Sequence, residues 1–317
     1  MKKYLISPYK KQFKANMHSH STCSDGRLTP EQLKEAYKAR GYSVFAFSDH
    51  ITVREHNDLR DPEFLPLTSA ELDVAEQGDN SFNLRKAFHF NIISRDPEHF
   101  EQVKCIIKNF SIPYINSVIK EAKEKNYFVT ANHPNWSLFT EEEFLQLEGL
   151  NGFELYNCIT ANFGGALSFT PEIYLYLLRN GKRIFPIGAD DNHSFCMPFD
   201  HPNNDSFGGF TYILGDMLDY QSIMNSLDNG DLYCSTGPQI FEISVNNDDL
   251  FIKTSNVAQI TVLTENGKAF SMKAKPDKAI TEFECKINNF GKFFVVYVKD
   301  EKGNPAMTRA FYKGEDY

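Results

Sequence analysis

Two histidines near the start of the chain have the spacing of metal ligands. His18 and His20 are separated by one residue in the segment Asn-Met-His-Ser-His-Ser-Thr-Cys-Ser-Asp-Gly. In an extended strand, residues two apart point to the same face, so both imidazoles would face one side. Asp25 follows in a Ser-Asp-Gly turn. Two imidazoles and a carboxylate are typical ligands of zinc, manganese or iron. His-x-His alone also fits an exposed strand. The later histidines therefore decide between a metal site and an exposed strand.

Later histidines repeat this pattern where apolar segments end. The sequence has nine histidines, and six lie in or at the end of predicted strands: His18, His20, His50, His89, His133 and His193. Each of them alone could be a buried, hydrogen-bonded core residue, and His89 lies inside an apolar strand. Six such positions together favour a metal cluster. We predict that the remaining three, in polar loop or helix contexts, are solvated surface residues: His56, His99 and His201.

Three carboxylates accompany these histidines, namely Asp25, Glu71 and Asp191. Together the two sets offer nine nitrogen and oxygen ligands. That number exceeds the needs of one tetrahedral ion and suits two or three ions that share a bridging carboxylate.

The elements that must position these residues alternate between strand and helix or loop. Predicted strands cover Ser43–Phe47, Phe64–Ala70, Ala87–Ser94, Tyr127–Ala131, Gly152–Tyr156 and Arg183–Ala189. Predicted helices cover Thr29–Arg40, Pro97–Asn126 (split in two by Pro113), Glu141–Leu147 and Pro171–Asn180. This alternation favours an α/β fold with a parallel sheet closed into a barrel, in which the strand ends converge at one mouth. Neither G-x-G-x-x-G after the first strand nor a Walker A sequence is present.

The final quarter of the sequence has a different pattern. Short β-like runs separated by turn sequences occupy Gln239–Val245, Leu250–Ser255, Gln259–Thr264, Ala279–Ile287 and Lys292–Lys299. We therefore predict two domains, an α/β barrel over residues 1–237 and a small all-β, sandwich-like domain over residues 238–317.

Composition limits the class of protein. The net charge of −9 argues against a general polyanion binder, because phosphate-backbone affinity requires clustered Lys and Arg. The six cysteines are scattered without a C-x-x-C pair, which is typical of reduced thiols. Neither a signal peptide nor a run of about 20 apolar residues is present. We expect a cytoplasmic protein without membrane association.

The motifs taken together resemble those of the PHP (polymerase and histidinol phosphatase) family. They are His-Ser-His-Ser-x-x-Ser-Asp-Gly, Ser-Asp-His, the Glu71 segment, Asn-His-Pro and Gly-Ala-Asp-x-Asn-His, and they follow in order over about residues 14–240. The resemblance implies a distorted (β/α)7 barrel and a di- or trinuclear site of manganese, iron or zinc that hydrolyses phosphoesters. The segment Gly230–Pro238 resembles the exit from the barrel in two-domain members.

The resemblance also implies three groups of metal ligands. The first comprises His18, His20, Glu71 and Asp191; the second Glu71 as a bridge with His89 and His133; the third Asp25, His50 and His193. The spacing to His193 selects Asp191 over its neighbour Asp190. We predict that Asp190 and Asp49 orient ligands or water.

This site predicts hydrolysis of a small phosphorylated metabolite or nucleotide by metal-activated hydroxide, with a short oligonucleotide as a further candidate substrate. We expect Glu71, Asp191 and His193 to act in catalysis, without a protein nucleophile. Cys23 lies near the ligands in sequence, but nothing there pairs it with a base, so we predict a small packing residue. Two alternatives remain: an amidohydrolase-like metal hydrolase of a non-phosphate bond, and a metal-binding protein without catalysis.

Substrate contacts are predicted from residues that follow the ligand motifs: Arg27, Arg54, Asn135 and Trp136. The arginines could pair with a second phosphate or a carboxylate, and Trp136 could stack on a base or sugar. The alternatives are solvated arginines and a Trp136 packed under its loop. The segment Phe163–Phe169, which contains Gly164-Gly165, is predicted to be a mobile flap.

Overall fold

The computed structural model describes residues 2–76, 86–106, 110–163 and 168–317. The strands that precede residue 237 are β1 (Lys3–Ile6), β2 (Lys11–Asn16), β3 (Tyr42–Ala46), β4 (Leu65–Leu67), β5 (Ser69–Ala75), β6 (Ala87–Ser94), β7 (Tyr127–Ala131), β8 (Gly152–Asn157), β9 (Phe185–Ala189), β10 (Phe210–Gly215) and β11 (Leu232–Ser235). The strands that follow are β12 (Ile240–Asn246), β13 (Asp249–Val257), β14 (Gln259–Thr264), β15 (Ala269–Lys273), β16 (Ile280–Lys286), β17 (Phe293–Lys299), β18 (Pro305–Thr308) and β19 (Phe311–Tyr312).

The helices in the described ranges are α1 (Pro30–Lys38), α2 (Ile112–Glu124), α3 (Pro134–Ser137), α4 (Glu141–Leu145), α5 (Cys158–Phe163), α6 (Pro171–Arg179) and α7 (Tyr220–Asn229). None of them has the length and hydropathy needed to cross a membrane. Part of the predicted flap, residues 164–167, lies outside the described residues.

The described strands form three sheets. A ten-stranded sheet has the order β15-β14-β17-β18-β11-β10-β2-β3-β4, with β19 paired to β17. A five-stranded sheet has the order β5-β6-β7-β8-β9, and a four-stranded sheet has the order β1-β12-β13-β16. With helices between several of these strands, the chain is a mixed α/β protein, as the sequence predicts.

The predicted closed barrel of parallel strands is not confirmed. Strand β6 runs antiparallel to both β5 and β7. Only residues 76–86 separate β5 from β6, whereas parallel neighbours need a crossover of about a dozen residues or more. The five- and ten-stranded sheets are joined at two isolated bridges, Ser19–Asn192 and His50–Glu71. Ser19 and Asn192 are next to the predicted ligands His18, His20 and Asp191 in the sequence, and the second bridge joins two predicted ligands, His50 and Glu71.

Two other predictions about elements need correction. The apolar segment Phe64–Ala70 contains two strands, β4 and the start of β5, so Glu71 lies inside β5 and not at a strand end. Pro113 does not split a long helix but lies in the first turn of α2, where a residue without an N–H is tolerated. Residues 97–106 are not helical.

Helix α1 begins where the sequence predicts it. The Thr29 hydroxyl accepts a hydrogen bond from the backbone of Gln32, whose side chain accepts one from the Thr29 N–H, so the two residues form a capping box. Pro30 occupies the first turn. The helix buries Leu33 and Tyr37, and the Tyr37 hydroxyl reaches the segment after β9, next to the site described below.

Two of the four apolar clusters among the described residues show how the sheets are packed. Ile115 and Ile119 of α2 pack in one cluster with Phe90 of β6 and Val129 of β7, under the five-stranded sheet. In the other, Ile252 of the four-stranded sheet packs with residues of β14 and β17. Strand β11 pairs with β10 on one side and β18 on the other, so the ten-stranded sheet includes strands from both sides of residue 237. The predicted division of the chain into two domains stays a prediction.

Candidate metal centre

Four buried side chains form the first ligand group, which we call group 1: His18, His20, Glu71 and Asp191, with ligand atoms within 4.8 Å of one another. His18 Nε2 lies 3.2 Å from Glu71 Oε1 and 3.1 Å from Asp191 Oδ1. His20 Nε2 lies 3.1 Å from the same Asp191 oxygen. The two histidines follow β2, where Ser19 pairs with Asn192, so the alternation predicted from their spacing places both rings on one side.

A carboxylate behind His18 fixes the orientation of its ring. His18 Nδ1 lies 3.0 Å from Glu154 Oε1, on β8. The other Glu154 oxygen accepts hydrogen bonds from the His133 backbone N–H and the Asn157 amide. An Nδ1–H donated to Glu154 leaves the lone pair of His18 Nε2 directed at group 1, an arrangement common behind histidine ligands.

Group 2 comprises Glu71, His89 and His133. Glu71 Oε1 lies 3.2 Å from His89 Nδ1 and 3.3 Å from His133 Nε2, and it also accepts a hydrogen bond from the Asn132 amide. Because β6 runs antiparallel to β5, His89 reaches the site from near the beginning of its strand. Glu71 therefore belongs to both groups, in the position predicted for a bridge.

Group 3 comprises His20, Asp25, His50 and His193. Asp25 Oδ2 lies 3.6 Å from His50 Nε2 and 3.5 Å from His193 Nε2. The second nitrogen of His20 faces this group, with Nδ1 3.6 Å from Asp25 Oδ1. His20 thus has one nitrogen toward group 1 and the other toward group 3. The Asp25 side chain is 51% exposed, so group 3 is the side of the centre open to solvent.

All nine predicted metal ligands are therefore close together: His18, His20, Asp25, His50, Glu71, His89, His133, Asp191 and His193. Their assignment as metal ligands is a proposal, and the chemistry of the site tests it. Among the described residues, the ion-pair partners of Glu71 and Asp191 are histidines alone. Asp191 Oδ1 is buried and makes no hydrogen bond, although the Nε2 atoms of His18 and His20 each lie 3.1 Å from it. Buried carboxylates need positive charge, and bound cations would supply it, so the donor set fits divalent metals.

The ionisation of the ligands shows the same need for positive charge. Burial opposes ionisation of Glu71, but the His18 and His89 rings outweigh it and hold its pKa well below the usual range. Burial lowers the pKa of His50, but its contacts with Asp25 and Asp73 outweigh burial and raise it to about 11. The neighbouring carboxylates likewise raise the pKa values of His18, His89 and His193 against the effect of burial.

Asp190 and Asp191 have different surroundings although they are adjacent. Asp190 accepts hydrogen bonds from the Tyr37 hydroxyl and from the backbone N–H groups of Phe207, Gly208 and Gly209. It therefore anchors the segment before β10 and is fully engaged away from the ligand groups. Only Asp191 faces the histidines, as its spacing to His193 predicts.

Sequence reasoning missed several carboxylates that surround the ligands. Asp73 lies 3.0 Å from His50 Nδ1, and Asp205 accepts hydrogen bonds from the backbone N–H groups of His193 and Ser194. Two signals could have revealed two of them. Asp73 is two residues from Glu71 on the same strand and so on the same face, and Glu154 is the only charge in the apolar run of β8.

The residues predicted to contact substrate lie in different surroundings. Trp136 packs its ring 4.9 Å from that of His89 and 4.8 Å from that of His133. The exposed Arg27 donates to the Phe195 carbonyl, and the Phe195 ring stacks on His193 at 4.8 Å. Arg54 donates to the Thr52 carbonyl at 3.2 Å. Asn135 is half-buried beside Trp136 in α3.

Two predictions about residues near the centre are wrong. Cys23 is exposed and is not a packing residue, and Asp49 and His56 lie beside it. His56 is not a solvated surface residue, because its ring packs against Phe47 and its Nε2 is buried. His99, by contrast, has an 83% exposed side chain, and His201 is also exposed.

The known proteins found to be similar to this chain share little sequence identity with it. Neither a protein-family model nor a curated protein matches the chain. A solved two-domain protein from Bacteroides vulgatus, described as containing a predicted PHP-like metal-dependent phosphoesterase, is 17% identical; the match covers 95% of this chain and 96% of that one, with a TM-score of 0.49.

Two other solved structures are similar to parts of the chain. A protein from Bifidobacterium adolescentis, provisionally named a metal-dependent phosphoesterase, is 16% identical over 60% of this chain and 91% of that one, with a TM-score of 0.41. An amidohydrolase from Chromobacterium violaceum, solved with sulfate and no metal, is 13% identical over 56% and 87%, with a TM-score of 0.43. All three matches are below 25% sequence identity with TM-scores below 0.5, so function has to be argued from the site itself.

Proposed function

We propose that this protein is a metal-dependent phosphoesterase that hydrolyses a small phosphorylated metabolite or nucleotide. The observation that carries the proposal is the overlap of the three ligand groups. Glu71 belongs to groups 1 and 2, and His20 belongs to groups 1 and 3. Cations held in overlapping groups are close enough to act on one substrate, which is the arrangement used by two-metal phosphatases and nucleases.

The ligand set supports two or three divalent ions of manganese, iron or zinc. Imidazole and carboxylate donors suit all three metals. When bound, such cations neutralise phosphoryl oxygens and lower the pKa of water, which makes hydroxide available near neutral pH. Among the nine ligands no cysteine occurs, so thiolate chemistry takes no part in this centre.

The protein's own residues then have distinct roles. Glu71 and Asp191 hold the centre of the site, with Asn132 and Glu154 orienting Glu71 and His18 through hydrogen bonds. His193 donates its Nδ1–H to the Asp191 carbonyl, which leaves Nε2 directed to the exposed side beside Asp25. When cations fill groups 1 and 2 alone, this nitrogen can carry a proton to the oxygen that leaves phosphorus, whereas a cation in group 3 would take it as a ligand.

Aromatic rings border the centre on two sides, which favours a substrate with a flat or apolar part. Trp136 borders group 2 and Phe195 borders group 3. Arg27, exposed beside Phe195, can pair with a second phosphate or a carboxylate on the same substrate.

The test is phosphate release by protein stripped of metal and then reconstituted with manganese, iron or zinc. The substrates are phosphomonoesters, nucleotides, cyclic phosphates, bisphosphates and short oligonucleotides. We expect metal-dependent turnover of a subset, lost in His20→Ala and Asp191→Ala and kept in His99→Ala, which removes an exposed histidine. Bound metal without phosphate release from any substrate would favour a hydrolase of another bond or a non-catalytic binding protein.

A further inference from the structure

A second kind of ligand cluster lies beside the metal centre and includes a thiol. The side chains of Cys23, Asp49 and His56 come together with their sulfur, oxygen and nitrogen atoms within 4.8 Å of one another. Cys23 is exposed, Asp49 is buried and His56 is half-buried. None of the three belongs to groups 1 to 3, so the roles proposed for those groups leave this cluster unexplained.

The loop that carries Cys23 is held over Asp49. Asp49 accepts hydrogen bonds from the backbone N–H and the hydroxyl of Ser21, each at 2.8 Å, and from the hydroxyl of Ser24 at 2.7 Å. The Cys23 N–H in turn donates to the Ser21 hydroxyl. Residues on both sides of Cys23 are therefore tied to one carboxylate, which keeps the thiol near it.

His56 offers a nitrogen that the fold leaves without a partner. Its ring packs 4.6 Å from that of Phe47, and Nε2 is buried without a hydrogen bond. A buried polar atom with no partner is costly. Burial lowers the pKa of His56 and outweighs the nearby charge of Asp49, which raises it. Near neutral pH the ring is therefore uncharged and has a nitrogen lone pair that can bind a metal.

We infer that Cys23, Asp49 and His56 form a separate binding site for a thiophilic divalent cation such as zinc. A thiolate, an imidazole and a carboxylate are all zinc ligands, with bond lengths of about 2.0–2.3 Å, and a three-residue site leaves the fourth position to water. Donor atoms bound to one tetrahedral ion at about 2.0–2.3 Å lie about 3.3–3.8 Å from one another, so separations of up to 4.8 Å require only small side-chain adjustments.

This site does not depend on the proposed hydrolytic function, because its donor set differs in kind from the nine histidine and carboxylate ligands. Sulfur selects zinc or cadmium over manganese. Manganese can therefore fill groups 1 to 3 without occupying the site at Cys23, which favours a thiophilic ion. The two kinds of site can be filled and measured separately.

The test uses cadmium as the probe, since its bond to a thiolate gives a charge-transfer absorption in the ultraviolet that nitrogen and oxygen ligands do not. Protein saturated with manganese is titrated with cadmium. We expect one equivalent to produce the band, Cys23→Ser to abolish it, and His56→Gln to weaken binding about tenfold or more. Cys196→Ser and Cys285→Ser, at two other partly exposed cysteines, are the matched controls and should keep the band.

A second measurement uses the unmutated protein, so its result cannot arise from misfolding of a variant. Zinc should slow alkylation of Cys23, located by mass spectrometry, relative to alkylation of Cys196 in the same sample. The inference would be overturned if the unmutated protein gave no band or if Cys23→Ser kept it unchanged. It would also be overturned if zinc left the rate of Cys23 alkylation, relative to that of Cys196, unchanged.

Discussion

Glu154 lies 3.0 Å from Nδ1 of His18, on the side of the ring opposite the ligand groups. This contact fixes which nitrogen of His18 faces the cations, although Glu154 itself is not among the nine ligands. Carboxylates behind histidine ligands contribute about 10–100-fold to metal affinity in known sites.

We therefore expect Glu154→Gln to weaken metal binding by about 10–100-fold, because glutamine keeps the size but not the charge of the partner. Binding is measured by titrating metal-free protein with manganese or zinc. Glu142→Gln, at an exposed position of α4, is the control. Equal affinity in Glu154→Gln and the control would show that the contact does not orient His18.

Metal binding should strengthen as the pH rises. In metal-free protein the pKa of His50 is raised from 6.5 to about 11 despite its burial, because Asp25 and Asp73 stabilise its protonated form, and the pKa of His193 is also raised. Protons must leave these rings before cations bind, so binding releases protons and affinity increases with pH. Calorimetric titrations between about pH 6 and pH 8, in buffers of different ionisation enthalpy, measure this release. Binding without proton release would contradict the ionisation described for the site.

The asparagine variants of Asp190 and Asp191 should have different effects, the first on folding stability and the second on metal binding. Asp190→Asn replaces one acceptor oxygen of a buried group that accepts four hydrogen bonds with an NH2 donor, so we expect the free energy of unfolding to fall by about 2–4 kcal/mol. Asp191→Asn should instead lose metal, and the metal-free protein should lose less stability than Asp190→Asn does, because the histidines that face Asp191 can release their protons. Denaturant unfolding and metal analysis distinguish the two.

The opposite result, metal loss in Asp190→Asn and destabilisation in Asp191→Asn, would reverse the assignment. Asp277→Asn, at an exposed turn, is the control for the substitution itself.

Gly26 holds the turn that presents Asp25. A Cβ at this position would lie 2.2 Å from the His20 carbonyl oxygen and 2.5 Å from its carbon, so Gly26→Ala must shift the backbone of one of the two segments. We expect the variant to remain folded but to lose about tenfold or more in metal affinity at group 3. Gly215→Ala, where a Cβ meets atoms no closer than 3.4 Å, is the control. Metal content equal to that of the control would mean that the turn tolerates the shift.

The sequence predicts much of the centre because its ligands follow short motifs with local spacing. The period of two brings His18 and His20 to one side, and the spacing of Asp191 to His193 distinguishes it from Asp190. Glu154 and Asp73 lie outside these motifs, and their partners His18 and His50 are distant in the sequence, so the motifs did not reveal them. Strand direction is likewise not local: β6 reverses relative to β5, and that reversal brings His89 to Glu71.

The most direct test of the central claim is a crystal structure of manganese-loaded protein with anomalous diffraction data. We expect two or three anomalous peaks, each bonded to histidine nitrogens and carboxylate oxygens of groups 1 to 3 at about 2.0–2.3 Å. Glu71 should contact two of the ions. Well-ordered protein with no peak among these residues, or with peaks held by other side chains, would contradict it.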